Sequence, residues 1–148
     1  MNALRCTAAA VMLSCFYAAG GAASPPGPGV DRPQDPVALG RYLVQTAGCN
    51  DCHTPGYTQS GGRTPEAAWL TGDALGWNGP WGTTYGTNLR LFFAGIGEEQ
   101  WLEHARRMET RPPMPWFNLR AMSDGDLRAI YRYIKAAGPA GEPAPAYV

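Results

Sequence analysis

Two cysteines three positions apart, with a histidine directly after the second, Cys49-Asn50-Asp51-Cys52-His53, constrain this chain more than any other feature. One helical turn places both sulfurs on the same side. The imidazole that follows can then lie beneath whatever the thiols hold. Three ordinary uses of such a group fit the rest of the sequence poorly. A disulfide closing so short a loop restricts the unfolded chain little. A thioredoxin-like redox pair needs a strand before the first cysteine, and no β-branched run precedes Cys49. A zinc site needs further ligands, but beyond the pentapeptide and the amino-terminal leader there is no other cysteine and one other histidine, His104.

The spacing instead matches the attachment site of a c-type haem, where each thiol adds to one vinyl group of the porphyrin and the histidine binds iron. The expectation is one haem c per chain, covalently bound through Cys49 and Cys52. His53 would be the proximal iron ligand through a neutral ring nitrogen, its other N–H fixed by a backbone carbonyl. Pro80 is a candidate for that carbonyl. Asn88 and Tyr85 are candidates for bonding the haem propionates.

The amino terminus points to a compartment. Arg5 precedes an apolar run from Cys6 to Ala19, and small residues follow through Gly20-Gly21-Ala22-Ala23-Ser24. That is the layout of a Sec-type export signal cleaved near Ala22 to Ser24, so residues 1–23 are expected to be a signal peptide and the mature chain periplasmic. The run is shorter than the about 20 residues a membrane-spanning helix requires, and no later segment reaches that length, so no transmembrane span is expected in the mature chain. Met12-Leu13-Ser14-Cys15 carries a large residue where a lipoprotein box usually has a small one. Cys6 and Cys15 leave with the leader, so only the two haem-linking thiols remain.

Cleavage also removes Arg5, leaving eleven of the twelve basic residues against twelve acidic ones. A balance so near zero argues against a nucleic-acid partner, whose phosphates call for basic excess. Charged residues make up 16% of the chain, while four Phe, five Trp and seven Tyr make it rich in rings. A small domain wrapped around a large apolar cofactor needs such a lining.

Residues 24–34, beginning Ser24-Pro25-Pro26-Gly27-Pro28-Gly29, read as a flexible tether. The domain is expected over 35–140, with 141–148 as a flexible tail. Asp35 as N-cap and Pro36 as first helical residue open a helix through about Thr46, with Leu39, Tyr42 and Leu43 on one face. Gly48 follows it. A Gly-rich middle, with Trp69, Trp77, Trp81 and Tyr85, reads as loops around a short helix at Thr64–Leu70. A further helix is expected from Glu98 to Met108, with Trp101, Leu102 and Ala105 inward. The last runs from Ser123 to about Ala137, its Leu127, Ile130, Tyr131 and Ile134 forming an apolar stripe. Ser123 and Asp126 suggest a capping box, and Gly138-Pro139 a stop. This helix should cross the first, where Gly40 lets two backbones approach closely.

The order of these features resembles the monohaem class I-type cytochromes c: a helix leading to Cys-Xaa-Xaa-Cys-His, a Gly-rich middle, a Met-bearing loop and a closing helix. Through Gly40-Arg41-Tyr42-Leu43, Cys52-His53-Thr54-Pro55, Gly86-Thr87-Asn88-Leu89 and Pro113-Met114-Pro115-Trp116 it is most similar to the cytochrome c domains of bacterial periplasmic dehydrogenases. It departs from many of those subunits in carrying a single haem motif, and no membrane anchor is expected. The resemblance implies an all-α, cytochrome c-like fold with terminal helices crossing beside the haem.

Met108, Met114, Met122 and His104 compete for the distal position on the iron. Met122 stands at N′ of the last helix with Leu127 at N4, the places of a hydrophobic staple. Met108 suits a core filler, and His104 a polar helix face. Met114 lies between Pro112, Pro113 and Pro115, which stiffen its loop, and it coincides with the family's ligand loop. His53 and Met114 are therefore the expected axial pair. Iron filled on both sides has no position for dioxygen, peroxide or substrate, which leaves one-electron transfer. The family implies redox protein partners: a periplasmic dehydrogenase or quinol-oxidising complex as donor, an oxidase or another cytochrome as acceptor. Trp116, beside Met114, would serve as a core ring or as part of the docking rim. Two rival readings are an enzyme with an open or displaceable distal site, His104 serving as acid or base in peroxide or nitrogen oxide chemistry, and a haem-based sensor.

Overall fold

Asp35 and Pro36 begin the first helix as their chemistry dictates. The Asp35 carboxylate accepts a hydrogen bond from the Ala38 N–H at 2.8 Å, and proline occupies a position where its missing donor costs nothing. This helix, α1, spans Pro36–Thr46 and buries Gly40 and Val44. The structure is a computed structural model that describes residues 31–148. The expected signal peptide, with Cys6 and Cys15, and residues 24–30 of the expected tether lie outside the described residues. Gly48 turns the chain at φ +76°, in the left-handed region where glycine carries no penalty, and α2, Cys49–His53, starts at once.

The last helix, α6, spans Asp124–Ala137, capped by the Ser123 hydroxyl accepting from the Asp126 N–H at 3.1 Å. The reciprocal half of the expected capping box is absent because the Asp126 carboxylate pairs with Arg32 at 2.5 Å. Gly138, at φ +71°, ends the helix. Leu127, Ile130 and Ile134 are buried and Tyr131 half-buried, as the stripe required. The helix lies across α1, and a Cβ at Gly40 would collide with the Ala129 backbone carbonyl. The crossing of terminal helices is thus a contact of backbone on backbone.

Between them the fold holds more regular structure than the glycine pattern suggests. The short helix expected at 64–70 is a single 3-10 turn, Glu66–Ala68. Next comes an antiparallel hairpin of β1, Gly76–Gly79, and β2, Gly82–Tyr85, with Trp77 opposite Thr84. The helix α3, Leu89–Ala94, is capped by the Asn88 side chain, which accepts from the Leu91 N–H at 3.0 Å. Helix α4 spans Glu98–Arg107, near the expected bounds, and α5 spans Trp116–Ala121.

Helices α3, α4 and α6 meet around Phe93 and Trp101, whose ring centroids are 4.7 Å apart. The Trp101 indole satisfies its N–H on the Leu127 carbonyl at 2.9 Å. Arg90 is buried and gives its guanidinium to the Ala137 and Gly138 carbonyls, which α6 leaves unpaired at its negative end. The described residues are thus mostly helical with one small sheet, the expected all-α class. Among them no helix is long and apolar enough to cross a membrane.

Residues 141–148, expected as a flexible tail, are docked instead. Val148 and Thr83 exchange backbone hydrogen bonds at 2.7 and 3.2 Å, and the Tyr147 hydroxyl donates to the Trp81 carbonyl at 2.9 Å. The Asn88 amide donates to the Ala140 and Glu142 carbonyls at 2.9 and 3.0 Å. The physical reason is that β2 leaves an edge unpaired and Asn88 is buried, so both need partners that the segment supplies.

Candidate functional site

Cys49 and Cys52 sit one turn apart on α2, as their spacing requires, and open onto a cavity of about 1150 Å3. No disulfide joins them. Burial pushes the Cys49 thiol up to about 11 and raises Cys52 as well. Neutral, desolvated thiols are the opposite of the activated thiolate that a thioredoxin-like pair needs.

His53 lines the same wall, with its Nδ1 2.7 Å from the Thr87 carbonyl. A carbonyl only accepts, so Nδ1 carries the proton and Nε2 keeps its lone pair. Burial lowers the pKa of the ring, which holds it in the neutral form that can bind a metal. Thr87, not Pro80, is therefore the orienting carbonyl.

The segment that brings Thr87 there passes directly over α2. At Gly86 a Cβ would run into the Cys52 carbonyl, so only glycine allows this approach. The Gly72 N–H donates to the His53 carbonyl at 2.8 Å, and the Asp73 N–H to that of Gly86 at 3.0 Å. Beneath the motif, the buried Thr54 hydroxyl donates to Asn50 Oδ1 at 2.7 Å and accepts from the Leu70 N–H at 2.8 Å. This wall is held by backbone contacts and buried hydrogen bonds.

Val44, Phe93, Ile130 and Ile134 give the cavity an apolar back. Met108, Met114, Met122 and His104 all line it too, so the structure gathers every candidate for the distal position. Met114 is half-buried and packs against the core. His104 lies beside the Phe92 and Trp101 rings, at centroid distances of 5.3 and 6.3 Å. Trp116 packs beneath the Arg120 guanidinium, 4.4 Å from its ring. The remaining wall is more polar: Trp77, Thr84 and Tyr85 of the hairpin, Arg111, and Tyr147 of the docked terminus.

Of the two residues expected to bond the haem propionates, Tyr85 lines the cavity. Asn88 does not: it is 3% exposed and committed to capping α3 and holding residues 140–142. Sequence reasoning missed Thr87, Arg111 and Tyr147. Thr87 contributes only its carbonyl, which leaves no trace in residue type. Arg111 precedes the prolines of the Met loop, and Tyr147 is an aromatic residue in a segment read as unstructured.

Two thiols, a neutral imidazole and three thioethers lining one cavity with apolar and polar portions form a donor set that fits a flat, covalently tethered metalloporphyrin. The volume exceeds the usual range of about 300–1,000 Å3 for small-molecule sites, as so large a cofactor requires.

The sequence model of a family described as Cytochrome c matches residues 37–138. A nicotinate dehydrogenase subunit of Pseudomonas putida is 28% identical over 117 residues, an alignment that covers 72% of this chain and 9% of that relative. The chain therefore spans a small part of that protein's length. No solved structure matches the chain.

Proposed function

The chain belongs to the cytochrome c family, a family of haem-based electron carriers, and on that premise we propose that it is a periplasmic monohaem cytochrome c. Cys49 and Cys52 would hold one haem c covalently, and His53 and Met114 would be its axial ligands. The observation that carries this reading is that a thiol pair, an oriented imidazole and the thioether of a proline-bounded loop all line one largely apolar cavity. When bound, the group supplies an iron that alternates between ferric and ferrous states.

The chain's own residues account for the rest. Thr87 fixes the tautomer and direction of His53. Pro112, Pro113 and Pro115 restrict the backbone around Met114. With His53 and Met114 both holding the group, no position would be left open to dioxygen, peroxide or an organic substrate, and the chemistry it would supply is one-electron transfer. A thioether ligand favours the ferrous state relative to a second imidazole, so the reduction potential should be comparatively high. The likeness to a dehydrogenase subunit favours a periplasmic dehydrogenase as donor over a quinol-oxidising complex, with an oxidase or another cytochrome as acceptor.

The test uses protein matured in a periplasm equipped for haem attachment. The intact mass should exceed that of the polypeptide by one haem under denaturing conditions. The ferric protein should show the weak long-wavelength band of iron–thioether ligation, lost in Met114→Ala and retained in Met108→Ala, Met122→Ala and His104→Ala. Rapid carbon monoxide binding by the unaltered ferrous protein would overturn the carrier reading in favour of an open haem enzyme.

A further inference from the structure

The Met114 loop has little regular structure of its own, yet two ties from distant parts of the chain converge on the residues just before it. The Thr84 hydroxyl, on β2, donates to the Pro112 carbonyl at 2.6 Å. The Arg111 guanidinium lies 3.5 Å from the centroid of the Tyr147 ring. Tyr147 is itself fixed, since its hydroxyl donates to the Trp81 carbonyl at 2.9 Å and the next residue, Val148, is paired with Thr83 on β2. The hairpin is thus joined to the loop directly through Thr84 and indirectly through the docked segment 145–148. Thr84, Arg111, Tyr147 and Met114 all line the one cavity.

We infer that the hairpin and residues 145–148 form a clasp that holds Met114 at its place opposite His53, with Thr84, Arg111 and Tyr147 as positioning residues. This rests on the reading of Met114 as the distal ligand. Proline stiffens the loop internally but does not locate it relative to the opposite wall. A hydrogen bond and a stacked cation at residues 111 and 112 do so, two residues from the sulfur. Loosening either tie leaves the loop intact as a segment and increases the fraction of time the sulfur spends away from its place.

That fraction is read by the rate at which added imidazole replaces the thioether in the ferric holoprotein, because entry requires the sulfur to leave first. Thr84→Val keeps the side-chain shape and removes the donor; Tyr147→Ala removes the stacked ring. Each should raise the imidazole-binding rate about tenfold, the effect of losing about 1.4 kcal/mol of support for the closed loop. Tyr147→Phe keeps the ring over Arg111 and should stay closer to the parent than Tyr147→Ala. Thermal unfolding of the same variants separates this from general weakening, which would lower the midpoint with no selective change in imidazole entry. Met114→Ala tests the underlying assignment. If it abolishes the long-wavelength band but Thr84→Val and Tyr147→Ala bind imidazole at the parental rate, the clasp is refuted and the ligand assignment stands. If the band survives Met114→Ala, both fall.

Discussion

The two walls of the cavity are built by different means. The wall bearing Cys49, Cys52 and His53 is made where helices and backbone segments touch without intervening side chains, at Gly40 against Ala129 and at Gly86 against Cys52. It is reinforced by the buried Asn50–Thr54–Leu70 bonds. The wall bearing Met114 is a loop held by its prolines and by ties to the hairpin and residues 145–148. Close backbone packing has no soft torsion to absorb a change, whereas a tied loop can release one tie at a time. The first wall should therefore fail as a unit and the second by degrees.

Gly40→Val tests the first half of that contrast most severely. Its side chain would meet the Ala129 backbone, which cannot turn aside, so unfolding in urea should show a loss of about 3 kcal/mol or more. A loss below about 1 kcal/mol would mean that the helices can separate cheaply. Cys49→Ser comes next. It removes one tether while leaving the wall's shape, and should lower the holoprotein yield several-fold, read as haem retained by the denatured chain. Met114→Ala attacks the other wall: the long-wavelength band should vanish while stability falls by less than about 2 kcal/mol, because the residue is half-buried. Ser123→Ala is the mildest, removing the α6 cap for a cost of about 1 kcal/mol with the spectrum unchanged.

The terminal helices were legible because their signals are local and redundant. Asp35-Pro36, Ser123 and Gly138 mark ends, and the Leu127–Ile134 stripe marks the buried face. The thiol pair and His53 were equally plain, since their chemistry depends on spacing within a single turn. The middle was harder. The six-residue helices α3 and α5 are too short to show a helical period, although Asn88 stood at a cap position before Leu91. The hairpin had its own signal in Gly79-Pro80-Trp81-Gly82 between ring-bearing and β-branched residues, obscured by the glycines around it. The docking of residues 141–148 depends on Asn88 and on the β2 edge, both more than fifty positions away, and no local pattern carries such a pairing.

Gly48 has a consequence for the precision of the assembly. Because it turns the chain within the two residues that separate the helices, α2 follows α1 directly, and the two sulfurs are mounted at the end of the helix that crosses α6. A cofactor bolted at that point would share the stiffness of the helix pair, so a change of one electronic charge would meet a frame with little freedom to relax. For a protein that must accept and surrender charge in brief encounters, a small reorganisation energy is the mechanical benefit of placing the anchor there.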